Sequence, residues 1–195
     1  MKSADTKKSK GISKNQWLVK ALELLESKGF EAVKIERLAK LLGTSRSGFY
    51  WHFKNRQDLL QHLLDYWAQE YTSILIDDLD VKKLAADKRL LSAMQMIKDE
   101  KLTKYDLSMN AWAKADLQVY EAVKKVTKMR LDFSREIFVE LGFDGDELEM
   151  RSRLFTCYHG WEEVTFSADD EEQNLRLQKL RHKMFINYPT ARHGR

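Results

Sequence analysis

The stretch KIERLAKLLGTSRSGFYWHFKNR, residues 34–56, decides how the rest of the chain is read. Ile35, Leu38, Ala39 and Leu42 recur at i, i+3, i+4 and i+7, so one face of a helix of barely two turns is apolar, and Gly43 ends it. Thr44 or Ser45 caps a further short helix reaching about Phe53, with Phe49 and Phe53 on one side. Two helices crossing steeply through a tight turn need a small residue where they meet, a glycine of positive φ and an apolar residue to lock the pair. Ala39, Gly43 and Phe49 supply these in order, which predicts a helix-turn-helix over 34–53.

Working outward, Ser13 and Gln16 form a capping box ahead of Trp17, Leu18, Ala21, Leu22 and Leu25, a helical face running to about Lys28. Gly29 takes the left-handed C′ position there, and Phe30 folds back onto the preceding turn. Downstream, Asn55 and Asp58 open a longer helix whose stripe is Leu60, Leu63, Leu64, Trp67, Tyr71 and Ile74, ending near 77–80. Helices follow over 85–98, 106–114, 116–141, 146–167 and 171–187, the third of these closed by Gly142 and the last stopping before Pro189. One proline and eight glycines leave few breakers for hairpins, and no strand pattern or repeat appears. The expected fold is all-α with about nine helices: a three-helix head over 11–56 and a larger helical domain over 57–189.

Charge is unevenly placed. Residues 1–56 hold 13 Lys/Arg against 5 Asp/Glu, net +8, and the remainder holds 21 against 25, net −4. A polyanion-binding head on a near-neutral body has this distribution, because Lys and Arg contacts to phosphate dominate nucleic-acid affinity. For residues 1–10 a basic solvated tail is the better explanation of the lysines, so the inference rests on residues 34–56. No apolar run approaches the roughly 18 residues of a membrane span, the N-terminus has no hydrophobic signal segment, and Cys157 is alone. A cytoplasmic protein is the expectation.

On the short helix that opens at Ser45, the residues Ser45, Arg46 and Ser47 would enter the major groove, where Arg can bind guanine in a fork and Ser can donate or accept. Gly48 permits close approach, Tyr50 and His52 can bond phosphates or base edges, and Trp51 can lie against sugar or a thymine methyl. Lys34, Thr44 and Lys54 complete the expected contact set, while Phe49 and Phe53 belong to the core.

Gly29-Phe30, Leu38-Ala39, Gly43-Thr44-Ser45 and the run Phe49-Tyr50-Trp51-His52-Phe53-Lys54-Asn55-Arg56, followed by Asp58-Leu59-Leu60, resemble the TetR family of bacterial regulators. The resemblance covers about residues 11–66. It implies a three-helix DNA-binding head, a fourth helix linking it to a ligand-binding body, dimerisation through the last two helices, a palindromic operator and, by the family's habit, repression relieved by a small molecule. It also puts Lys54 at the family's phosphate clamp. Two positions depart from the pattern: Val33-Lys34 stands where a Thr or Ser cap is common, and Arg56 replaces a frequent Lys.

The body is rich in aromatic and thioether side chains. Trp67, Tyr71, Met109, Trp112, Phe133, Tyr158 and Trp161 are candidate lining of a hydrophobic effector site, with Trp112, Phe133, Tyr158 and Trp161 the stronger group; stripes of this kind also serve as plain core. Leu154, Phe155, Tyr158, Trp161, Val164, Leu177, Leu180, Met184 and Phe185 exceed one helical face, as a subunit interface requires, although they could instead complete a monomer core. Catalysis is not expected. Cys157 and His159 at i and i+2 point apart, and HExxH, GxSxG and a phosphate-cradling glycine loop are missing. No metal or cofactor is called for. A helical protein-protein adaptor stays open as an alternative, but it leaves the +8 head unexplained.

Overall fold

The computed structural model describes residues 11–166 and 170–187, which contain helices and no strand. The basic run 1–10 and Pro189 lie outside the described residues. The described residues divide between Tyr66 and Trp67 into two compact units, a division that falls within one helix.

The first unit contains α1 (Lys14–Lys28), a 3-10 turn (Phe30–Ala32), α2 (Ile35–Leu41), α3 (Arg46–Tyr50) and most of α4 (Arg56–Ala68). The capping box at α1 forms as expected: Ser13 Oγ accepts from the Gln16 amide and Gln16 Oε1 from the Ser13 amide. Gly29 has the expected positive φ of 76° but an extended ψ of 171°, which turns the chain into the 3-10 link. Helix α2 closes in a Schellman motif, with Thr44 N–H on Ala39 O at 2.9 Å, Gly43 N–H on Lys40 O at 3.2 Å and Gly43 at φ 63°. Helix α3 is shorter than the sequence suggests, and a turn from Phe49 O to the His52 and Phe53 amides extends it. Trp17, Leu22, Leu25, Leu38, Phe49, Phe53, Leu59, Leu60 and Leu63 form the buried core of this unit. The Trp17 and Phe49 rings meet edge to face, centroids 5.4 Å apart, so α3 is locked onto α1 by the residue that the spacing nominated.

The second unit departs from expectation at its start. The fourth helix does not run unbroken to 77–80: a π-helical turn, Gln69–Ser73, follows α4, then come α5 (Ile74–Ile76) and α6 (Leu79–Lys82). The wider turn rotates the stripe, so Thr72, Ser73 and Leu75 are buried and Ile74, expected inside, is exposed. Helices α7 (Ala86–Asp99), α8 (Asp106–Ala113), α9 (Leu117–Glu140), α10 (Gly145–Phe166) and α11 (Glu171–Ile186) complete the described chain within a residue or two of their expected bounds. Asp116 caps α9 through the Gln118 and Val119 amides, and Gly142 at φ 91° ends it.

Helix α9 is the spine, packing against α7, α8 and α10, while α7 also meets α11. Leu90, Met94, Phe133, Ile137, Phe138, Phe143, Phe155 and Phe185 form the core between them. Arg151 on α10 donates to the carbonyls of Met184, Phe185 and Asn187, satisfying groups that the end of α11 leaves without intrahelical partners.

Candidate functional site

The segment from Lys34 to Lys54 presents one polar, cationic and aromatic surface. Lys34, Ser45, Arg46, Ser47, Tyr50, Trp51 and Lys54 are exposed; Thr44, Gly48 and His52 are half-buried. Trp51 is 86% exposed, an indole that no contact within the head explains. The fold requires this arrangement: Phe49 and Phe53 take the inward face of the short helix and its turn, so Arg46, Tyr50 and Trp51 must face out.

Arg46 Nη1 lies 3.3 Å from Glu36 Oε1 on α2, both side chains exposed. A hydrogen bond with the Tyr50 side chain, and then the Glu36 charge, raise the Arg46 pKa, so the guanidinium is fixed as a cation and oriented from both helices. Ser45 Oγ and Ser47 Oγ share a hydrogen at 2.7 Å. Lys34 precedes α2 in extended conformation without a side-chain cap bond, as the missing Thr or Ser there implies.

Other roles were not legible beforehand. His52 Nε2 is 2.7 Å from Ile12 O, so this ring fastens the segment ahead of α1 to the end of the recognition turn. A Cβ on Gly48 would stand 3.1 Å from Thr44 Oγ1, so any larger residue there would make the Thr44 side chain shift by a few tenths of an ångström. Arg56 turns inward: its Nε donates to Val33 O at 2.7 Å, and its guanidinium carbon stands 4.5 Å from the Phe30 ring centroid. Its charge therefore binds the α1–α2 link to α4. Asn55 Oδ1 accepts from the Asp58 amide and Asp58 Oδ2 from the Lys54 amide, a reciprocal cap that sets the end of the basic run.

In the second unit the seven sequence candidates separate. Trp67, Met109 and Trp112 are buried. Tyr71 and Phe133 line a chamber of about 40 Å³ with Leu75, Leu102, Phe155 and His159. Tyr158 and Trp161 do not share it: Trp161 is exposed on α10, and Tyr158 borders a groove between α10 and α11 lined by Met150, Leu154, Leu177, Leu180 and Met184. Burial, and then the neighbouring Tyr105, push the Tyr71 phenol up to about 12, so it remains protonated.

A buried ion pair organises the same interior. Arg130 donates through Nη1 and Nη2 to the two Asp106 carboxylate oxygens, through Nε to Thr72 Oγ1 at 3.1 Å and through Nη2 to Tyr71 O at 3.2 Å. The π-helical turn brings both Thr72 and the Tyr71 carbonyl to the guanidinium. The signal for this pair was present: Asp106 precedes Met109 and Trp112 at helical spacing, and Arg130 lies between Val126 and Phe133, so both charges sit on apolar stripes.

The fold and the exposed face of α3 define a helix-turn-helix protein. Residues 18–63, less than half of the chain, match the family model of bacterial regulatory proteins, tetR family. Over 45 residues the chain is 47% identical to the tetracycline repressor protein class C of Escherichia coli; the match spans 23% of this chain and only about a fifth, 20%, of that relative. The chain is similar in fold to a transcriptional regulator from Rhodococcus sp. Rha1, with TM-score 0.70, 13% identity and coverage of 91% of this chain and 100% of that one. It is similar also to the Bacillus subtilis transcriptional regulator FadR in complex with stearoyl-CoA, with TM-score 0.65, 16% identity and coverage of 90% and 98%. None of the described helices is long and apolar enough to cross a membrane.

Proposed function

We propose that this protein is a cytoplasmic, homodimeric repressor that reads a palindromic operator and is released from it by a small molecule. The observation that carries the reading is the outward face of 44–54: Arg46, Trp51 and Lys54 are solvent-facing on one short segment whose inward residues, Phe49 and Phe53, are fully engaged in the core. In this reading Arg46, Ser45 and Ser47 meet base edges, Trp51 meets sugar or a thymine methyl, and Lys34, Thr44, Tyr50 and Lys54 hold phosphates. His52 positions the segment instead of reading bases, because its Nε2 is already engaged.

Residues 11–56 serve as the DNA-binding domain and 57–189 as the regulatory one. Two subunits meet through α10 and α11, whose Met150, Leu154, Trp161, Leu177, Leu180 and Met184 are exposed on the isolated chain, large apolar side chains that a second subunit would cover. Two heads on one axis then read two half-sites. The effector acts by binding one arrangement of the heads better than the other; that the similar FadR forms a complex with stearoyl-CoA supports a small-molecule effector.

The test is duplex binding after selection of an operator from genomic fragments. Arg46→Ala is expected to lower affinity for that operator by about 1–3 kcal/mol and for unrelated duplex by less. Lys54→Ala is expected to weaken all duplexes and to reduce the slope of log K against log salt by about one. Equal losses on every duplex for both variants would refute the division of roles.

A further inference from the structure

Two adjoining chambers in the second unit hold polar atoms that no described residue satisfies. The chamber of about 40 Å³ and a larger one of about 200 Å³ share Ile97, Thr103 and His159 in their walls. His159 is 3% exposed, and its Nδ1 stands 2.7 Å from the Phe155 carbonyl. A carbonyl only accepts, so Nδ1 carries the hydrogen of the neutral ring and Nε2 is left as a bare acceptor. That Nε2 is buried without a hydrogen-bond partner among the described residues, and so is Thr156 Oγ1, which lines the smaller chamber with it. One turn earlier on the same helix Ser152 bonds the Leu148 carbonyl at 2.8 Å, so the unspent hydroxyl of Thr156 is not a habit of this helix.

The smaller chamber is otherwise matched to a neutral occupant. Arg130 reaches the smaller one, but its donors are taken by Asp106, Thr72 and the Tyr71 carbonyl. Glu162, in the wall of the larger, accepts from Arg181 at 2.6 Å and from the Tyr158 hydroxyl at 3.2 Å. Lys98 and Lys101 border only the larger chamber and are exposed to water. An anion within the smaller chamber would thus meet only a guanidinium already engaged, and the lysine ammoniums stand at the solvent side of the larger one. The larger chamber alone, about 200 Å³, is roomier than the cavities of about 150 Å³ that hold a single aromatic ring, so a molecule of that size fits.

We propose that these chambers bind a neutral, ring-sized organic molecule carrying a hydroxyl or N–H donor, with His159 Nε2 accepting from that donor and Thr156 Oγ1 giving a second polar contact. Burial and the nearby Arg181 push the His159 pKa down to about 4, which keeps Nε2 an acceptor at neutral pH. The site deepens the effector reading above and rests on it for its biological consequence, but binding is measured on the protein alone. Failure of operator release and failure of the site are therefore distinguishable.

The probes are phenol, toluene and benzoate, titrated into the full chain without DNA and followed by calorimetry and by the imidazole nitrogen resonances of His159. A merely apolar cavity favours toluene, which loses less hydration on entry. The expected result is saturable phenol binding, one per chain, about tenfold tighter than toluene, with the Nε2 resonance moving for phenol only and benzoate not bound. His159→Phe is expected to reverse the preference, and Ile97→Trp, which fills the shared wall, to abolish binding of both while circular dichroism is unchanged. The wild-type comparison decides even where a variant fails to fold: phenol no tighter than toluene, no phenol binding at all, or benzoate as the tightest probe each overturns the proposal.

Discussion

Replacing Arg130 with methionine keeps an unbranched apolar stem of about the length of the arginine methylenes and removes the cation that pairs with Asp106. Asp106 is 6% exposed, and its pKa is raised by burial against the opposing pull of Arg130. Removing one partner of a buried ion pair costs about 3–5 kcal/mol, because the remaining charge stands desolvated and unpaired. The Arg130 side chain retains 21% exposure, so water relieves part of this and the lower end, about 3 kcal/mol, is the expected loss near neutral pH. In a domain of this size that corresponds to a fall in Tm of roughly 6–12 °C. The pH dependence follows from the sign of the shift. Asp106 binds its proton more tightly folded than unfolded, and more so without the guanidinium, so the deficit of the variant is full above the folded pKa and shrinks as pH falls toward the ordinary carboxylate range. Urea unfolding followed by circular dichroism at pH 7.5 and pH 5 measures this, and Asp106→Asn added to Arg130→Met is expected to recover stability at pH 7.5. A loss below about 1 kcal/mol, or a double variant no more stable than Arg130→Met, would show that the pair does not organise the interior.

Two further outcomes follow from the second unit. His159 is buried beside Arg181 and the Phe155 ring, with its pKa pushed from 6.5 down to about 4; the unfolded chain binds the extra proton first, so this contribution to stability is intact above pH 6.5 and about 3 kcal/mol is lost as pH falls from there to 4. His159→Phe is expected to lack that component, and parallel urea midpoints for wild type and variant between pH 7.5 and 4 would argue against it. On the outer faces of α10 and α11, Leu154→Glu and Leu180→Glu alter exposed side chains and should leave the unfolding of each chain nearly unchanged, within about 0.5 kcal/mol, while shifting sedimentation equilibrium at micromolar concentration from dimer to monomer. Persistence of the dimer in both would place the interface elsewhere.

What the sequence by itself determined lies in interactions between residues a few positions apart. The capping box at Ser13, the Schellman turns at Gly43 and Gly142, the Asp116 cap and the alternation that sends Phe49 and Phe53 inward and Arg46 and Trp51 outward all depend on neighbours within about six residues, whose geometry the backbone dictates. The candidate DNA face was legible for the same reason: it is the remainder of a short helix once its core residues are assigned. The tertiary structure alone decided the features built across long separations. The π-helical turn that puts Ile74 out and Leu75 in is tied to Arg130, 58 residues from Thr72. The ring of His52 is engaged by Ile12, 40 positions earlier, and Arg56 is drawn inward to Val33. The aromatic side chains of the body looked alike in sequence, yet packing buried Trp67 and Trp112, left Trp161 on the surface and placed His159 in the wall of the chambers. Periodicity indicates which side of a helix is covered, but only the neighbouring helices determine whether the cover is close-packed, open to solvent or hollow.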